Sequence, residues 1–173
     1  MSTTTSDTEV EGSIVHVIHT TYNDTDSTYE RTVLALATKD DLSLAVDEDD
    51  EDIALAAERR TRRYRTRNTI DLEVASVIDV DMEAAEAVGI VDADGKLDFT
   101  KANRRIDSSD DEYIEIAYFS DESTDIVDAE LVHRFEDLEL TSPEIDPSAT
   151  PPLLSWTWWV EGTVHLSYDP SQE

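Results

Sequence analysis

The clearest pattern in the chain lies near its C-terminal end. Between Trp156 and Tyr168 the even positions are Trp156, Trp158, Val160, Gly162, Val164, Leu166 and Tyr168. The odd positions are Thr157, Trp159, Glu161, Thr163, His165 and Ser167. A period of two marks a strand with one buried face and one open face. Only Gly162 interrupts the apolar face, so a bend or bulge is expected there. Shorter signals of the same kind precede it. Ile14–Ile18 and Thr32–Thr38 are apolar runs of strand length, separated by a turn-rich patch with Asn23, Asp24, Asp26 and Ser27. Leu42, Leu44 and Val46 alternate as in a half-buried strand. Ile70, Leu72 and Val74 alternate with Asp71, Glu73 and Ala75, and apolar character continues to Val80. Tyr113–Phe119 predicts another strand, and Leu131–Leu140 one or two more.

One segment reads differently. Asp81–Val88 is alanine-rich, opens on a residue able to cap a helix and closes before Gly89, which suits a left-handed stop. Asp92–Gly95 reads as a turn. It fails as a calcium loop, because its glycine is misplaced and no Glu closes a twelve-residue loop. Pro143, Pro147, Pro151 and Pro152 mark a stiff connection. The order is mostly strands with one central helix. It predicts a mainly β domain of sandwich or barrel type with one flanking helix.

Charge adds a second layer. The chain has 173 residues, a formal net charge of −29 and a pI near 4.1. Apolar residues are too abundant and too well patterned for disorder along most of its length. Adaptation to molar salt explains the excess, since screening there shrinks the Debye length to roughly 3 Å and suppresses self-repulsion. Most carboxylates are then solvation chemistry. One folded domain over residues 13–170 is expected, preceded by a mobile acidic tail at 1–12.

The cations are distributed unevenly. Six of the 13 basic residues are Arg59, Arg60, Arg62, Arg63, Arg65 and Arg67, with no acid among them. They follow six consecutive acids, Asp47–Asp52, and the apolar run Ile53–Ala57. The stretch 41–67 is expected to be an extended charged loop, with room for a short helix beginning near Asp50. A cationic island on an anionic molecule is self-complementary, so contact with another copy ranks first. A locally compensated surface loop ranks second. Nucleic-acid binding ranks third, because the overall field repels phosphate and molar salt weakens such contacts. Trp159 faces away from Trp156 and Trp158 and is a candidate intersubunit anchor.

Catalytic chemistry is not visible. There is no cysteine, which excludes disulfides and thiolate sites. No glycine-rich phosphate loop, nucleophile elbow or metalloprotease helix occurs, and the chain is read as a non-enzyme without cofactor or metal. His16 and His19 point to opposite strand faces and are expected to be partly exposed. His133 and His165 lack a ligand pattern. Met1–Ser13 carries no signal-peptide pattern, and no run of about 18 apolar residues exists to cross a membrane.

The order of elements resembles the tail tube (major tail) proteins of long-tailed viruses. The resemblance rests on Thr32-Val-Leu-Ala-Leu-Ala-Thr38 running into Leu42-Ser-Leu44, the charged excursion, the central helix and the closing Val160-Glu-Gly162-Thr-Val-His-Leu166. It spans about residues 14–168. It implies a β-sandwich subunit, six-membered rings stacked into a tube, and a loop at 41–67 reaching a neighbouring copy. The partners it implies are other copies, other tail or connector proteins, and DNA passing through the channel without specific binding. The implied location is the virion tail, assembled in the cytoplasm of a salt-loving host. The alternatives are a head–tail connector or tail terminator ring, and a halophilic nucleic-acid-binding or regulatory domain using the island.

Overall fold

The computed structural model describes residues 14–38, 42–55, 60–75, 79–97, 104–120, 125–141, 143–146, 148 and 153–172. The expected tail at 1–12 lies outside them. The chain is mainly β, in two antiparallel sheets with one short helix. The strands are β1 (Ile14–Asn23), β2 (Thr28–Thr38), β3 (Leu42–Leu55), β4 (Arg60–Val74), β5 (Asp79–Val80), β6 (Arg105–Ile106), β7 (Glu112–Phe119), β8 (Leu131–Phe135), β9 (Leu138–Leu140), β10 (Glu144–Asp146), β11 (Leu153–Val160) and β12 (Val164–His165). The helix α1 is Met82–Ala87. The first sheet runs β12-β8-β7-β1-β2-β5, and the second runs β3-β4-β11-β9-β6 with β10 added on β11.

The two sheets share one apolar cluster. Val15 and Val17 from β1, Leu34 and Ala35 from β2, and Ile114 and Ile116 from β7 meet Leu72 and Val74 from β4 and Trp156 and Trp158 from β11. Leu34 and Ala35 are consecutive, yet both enter this cluster. The β1–β2 register shifts between Val17 and Ile18, leaving Leu34 as the extra residue, and a bulge turns neighbours toward the same side. The other face of the first sheet is covered too. Ile18, Ala117, Phe119, Ile126 and Val132 form a second cluster, with Tyr168 packed against it. β1 is therefore buried on both faces, which is why it reads as a continuous apolar run rather than an alternation.

The helix forms where expected. Asp81 is its N-cap, and its carboxylate accepts from the Ala84 amide at 3.0 Å. Gly89 follows at φ 80°. The Asp81 amide also donates to the Leu34 carbonyl at 3.0 Å, which ties the helix start to β2 beside the bulge.

Three expectations change. The stretch expected as a charged loop pairs instead as a long hairpin of β3 and β4, in ladder from Leu42↔Val74 to Leu55↔Arg60. No helix begins near Asp50, which lies inside β3. Its thin apolar face gives a helix nothing to bury, whereas β4 offers a complete antiparallel partner. The closing alternation is divided. β11 belongs to the second sheet and β12 to the first, and the chain crosses between them at 161–163. A Cβ at Gly162 would lie 2.6 Å from Asp137 Oδ2 and 2.7 Å from the Glu136 carbonyl. Only glycine admits that approach without a shift of its neighbours.

Candidate assembly surfaces

The hairpin outgrows its sheet. β11 pairs with β4 only from Val74 to Ile70. Beyond Ile70, the residues Arg60–Thr69 of β4 pair, among the described residues, with β3 alone. Ten residues at about 3.4 Å each make a two-stranded arm roughly 34 Å long.

Register sorts the island. Asp49, Asp50 and Asp52 stand across from Arg67, Arg65 and Arg63. The ladder skips Thr66 at a shift between Asp49 and Asp50. Arg62 and Arg60 stand across from Ile53 and Leu55, with no acid opposite. Arg59 lies outside the described residues. The acid run and the island, separate in sequence, are thus two sides of one ribbon. Opposite charges directly across a ladder stabilise it by roughly 0.2–1 kcal/mol per pair.

Trp159 lies on the outer face of the second sheet and is 36% exposed, while Trp156 and Trp158 are buried as expected. Asp71 stands across from it on β4 and Glu139 on β9. Glu73 stands across from Thr157. Arg105, across from Glu139, is ion-paired to Glu161 at 2.8 Å.

A charged centre that the sequence reading missed sits on the outer face of the first sheet. Glu115 is fully buried in the middle of β7. Its Oε1 accepts from Arg134 Nε at 2.8 Å and Nη2 at 2.6 Å. Its Oε2 accepts from Arg31 Nε at 2.8 Å and the Thr20 hydroxyl at 2.8 Å. Four adjacent strands, β8, β7, β1 and β2, are joined by one carboxylate. The Arg134 guanidinium lies 3.8 Å from the Tyr168 ring centroid, 4.4 Å from that of Tyr113 and 5.4 Å from that of Tyr29. Burial, reinforced by Tyr29 and Asp111, pushes the Tyr113 hydroxyl up to about 12, against the opposing pull of Arg134. The Tyr113 phenol stays neutral, and the three rings serve as cation-facing surfaces.

The histidines are less exposed than expected. His16 and His19 retain only 6% and 8% exposure. They do occupy opposite faces. His16 packs on Phe119 with ring centroids 4.6 Å apart, and His19 Nε2 lies 2.6 Å from Glu112, which also holds Arg104. Burial lowers the pKa of His16. It also lowers that of His133, whose bond to the Leu166 carbonyl opposes the shift. Asp92–Gly95 is the expected turn, with Asp92 Oδ1 accepting from the Asp94 and Lys96 amides. Among the described residues no three His, Cys, Asp or Glu side chains gather as a metal site, and no helix is long and apolar enough to cross a membrane. No family model matches the chain, and no curated protein or solved structure is similar to it.

Proposed function

We propose that the protein is a structural subunit that assembles with copies of itself, and specifically a tail tube protein of a long-tailed virus whose host lives in molar salt. The observation that supports this reading is the arm. Its outer ten β4 positions pair with β3 alone among the described residues, beyond the end of the sheet. An isolated two-stranded ribbon is only marginally stable in water, so an arm of this length suits a role in which a second molecule covers it. The two sheets around their common apolar cluster serve as the halves of a β-sandwich, with α1 beside them. The arm replaces the charged loop as the element that reaches a neighbour. Net charge of −29 suits a channel wall along which DNA passes without sticking.

Nucleic-acid binding by the island is disfavoured by register. Three of its arginines stand across from aspartates of the same hairpin, which offsets the field a phosphate backbone would feel.

The test is electron microscopy of the purified protein in about 2–3 M salt, where screening is nearly complete. Hollow tubes with a regular axial repeat are expected. Discrete rings that never stack would replace the tube reading with a connector or terminator ring. A monodisperse monomer at high concentration would refute self-assembly.

A further inference from the structure

We propose that a cleft on the outer face of the first sheet, framed by His16, Val33, Leu36 and Val80, binds a small uncharged molecule with an apolar body and one hydrogen-bonding group, the group meeting the His16 imidazole. The inference goes beyond self-assembly and does not depend on it.

The cleft originates in the β2 bulge. Regular alternation would set every second residue of β2 on the outer face. Val33 packs against the cluster on that face. Leu36 is registered across from His16, whose ring packs on Phe119 of the same cluster. Between them, Leu34 and Ala35 both turn to the cluster between the sheets. Two outward side chains that alternation would set two residues apart are therefore three apart, and a gap opens between them. Val80 and Asp81 line its other side. They are held there by the pairing of Val80 with Ala35 and by the bond from the Asp81 amide to the Leu34 carbonyl. The cleft has a volume of about 490 Å³. Sites for small molecules run from about 300 to 1,000 Å³, with apolar walls and few polar groups. Bulges recur beside such sites because they re-aim side chains in this way.

The polar group is distinctive. His16 is 6% exposed, and its Nδ1 is buried with no hydrogen-bond partner among the described residues. Burial lowers its pKa, so at neutral pH the ring is uncharged and has one donor and one acceptor nitrogen. A buried nitrogen left unpaired is a cost carried by the free protein, and a ligand group that pairs with it recovers that cost. Asp81, the other polar residue at the cleft, already uses its Oδ1 to cap α1. Its carboxylate at the rim disfavours an anion, and the neutral ring gives an anion no counter-charge. Apolar walls and an uncharged ring lose nothing to screening, so the site works in molar salt.

The experiment uses the full chain with benzyl alcohol and toluene as probes. Binding is followed by titration, and the imidazole nitrogens by long-range proton–nitrogen correlation spectra. Benzyl alcohol is expected to bind saturably and to shift a His16 ring nitrogen, and toluene to leave that nitrogen in place. His16→Leu, with circular dichroism unchanged, is expected to bind benzyl alcohol about two- to tenfold more weakly and toluene no more weakly than the wild type does. Leu36→Trp is expected to fill the cleft and abolish binding of both. Absence of saturable binding to the wild type would overturn the proposal. So would a His16 nitrogen unmoved at saturation, the result expected if ordered water already holds it. Equal binding of benzyl alcohol by His16→Leu and the wild type would overturn it as well. The nitrogen shift is read on the wild type, so it decides the matter should a variant fail to fold. A cleft closed to both probes in the assembled protein would make a second copy its occupant and overturn the assignment to a small molecule, leaving self-assembly standing.

Discussion

Replacing Glu115 with alanine removes the carboxylate that joins four strands. The change leaves Arg134, with a side chain 7% exposed, without its buried counter-charge. Arg31 loses this contact too, but at 20% side-chain exposure water recovers part of the loss. Four hydrogen bonds to the carboxylate disappear, three of them from guanidinium groups and one from a hydroxyl. Summing them at 1.5–3 kcal/mol each would overstate the cost, because the desolvation of Glu115 itself is also relieved. Removing one partner of a buried pair typically costs about 3–5 kcal/mol, and the lower half of that range fits a site with one half-solvated arginine. With a urea slope of about 2 kcal/mol/M, the unfolding midpoint should fall by roughly 1.5–2 M. The assay is urea unfolding followed by tryptophan fluorescence at fixed high salt, repeated at two salt concentrations. The loss should hardly depend on salt, because the pair is shielded from mobile ions. A loss below about 1 kcal/mol, or one that vanishes in high salt, would show that the network contributes no more than a surface ion pair does.

Three further outcomes follow from the geometry. Gly162→Ala should destabilise by about 1–3 kcal/mol, since the added methyl meets a carbonyl as well as a side chain; thermal melting checks it, and an unchanged midpoint would mean the crossover has slack. Asp81→Ala removes the helix cap and should cost about 1 kcal/mol, read as a shift in the urea midpoint, with Asp81→Asn recovering most of it. Folded-state pKa values of His16 and His133 lie below 6.5, so the stability they contribute is complete above that pH and is lost as pH falls through it toward the folded values. Urea midpoints measured downward from pH 7 should fall accordingly, and the double variant His16→Leu/His133→Gln should flatten the profile; an unchanged slope would exclude both histidines as its source.

Much of the fold was legible because burial imposes period two. Trp156, Trp158 and Val160 pointed inward as read, and Asp81 and Gly89 bounded the helix. The arm was misread because its strands lack an apolar face. The ladder there sets Asp49, Asp50 and Asp52 across from Arg67, Arg65 and Arg63, and periodicity is blind to a pairing between residues 11 to 18 positions apart in sequence. The division of the last strand was half legible. Gly162 announced an irregularity, but only the neighbouring Asp137 and Glu136 explain a change of sheet. The Glu115 centre had a signal that went unused. One acid inside Tyr113–Phe119 and one arginine inside Leu131–Phe135 interrupt runs that are otherwise mostly apolar, and antiparallel neighbours place them side by side. Within the island, register places Arg60 and Arg62 across from Leu55 and Ile53 and the other described arginines across from aspartates, a distinction that composition cannot make.

The crossing at Gly162 also sets an order of events during synthesis. Between them β11 and β12 complete both sheets. Among the described residues, β11 is the strand that links the β3–β4 hairpin to β9 and β6. A nascent chain that has emerged only as far as residue 150 therefore holds the first sheet nearly whole, while the second is in fragments and the apolar faces of Leu72 and Val74 lack Trp156 and Trp158. Closure of the core waits for the last strands to emerge, and the pairings that complete it join residues far apart in sequence, which makes folding slow. During that interval the molecule is held apart from its copies mainly by its charge. The acidic surface then acts before the native state exists, as protection for an unfinished chain.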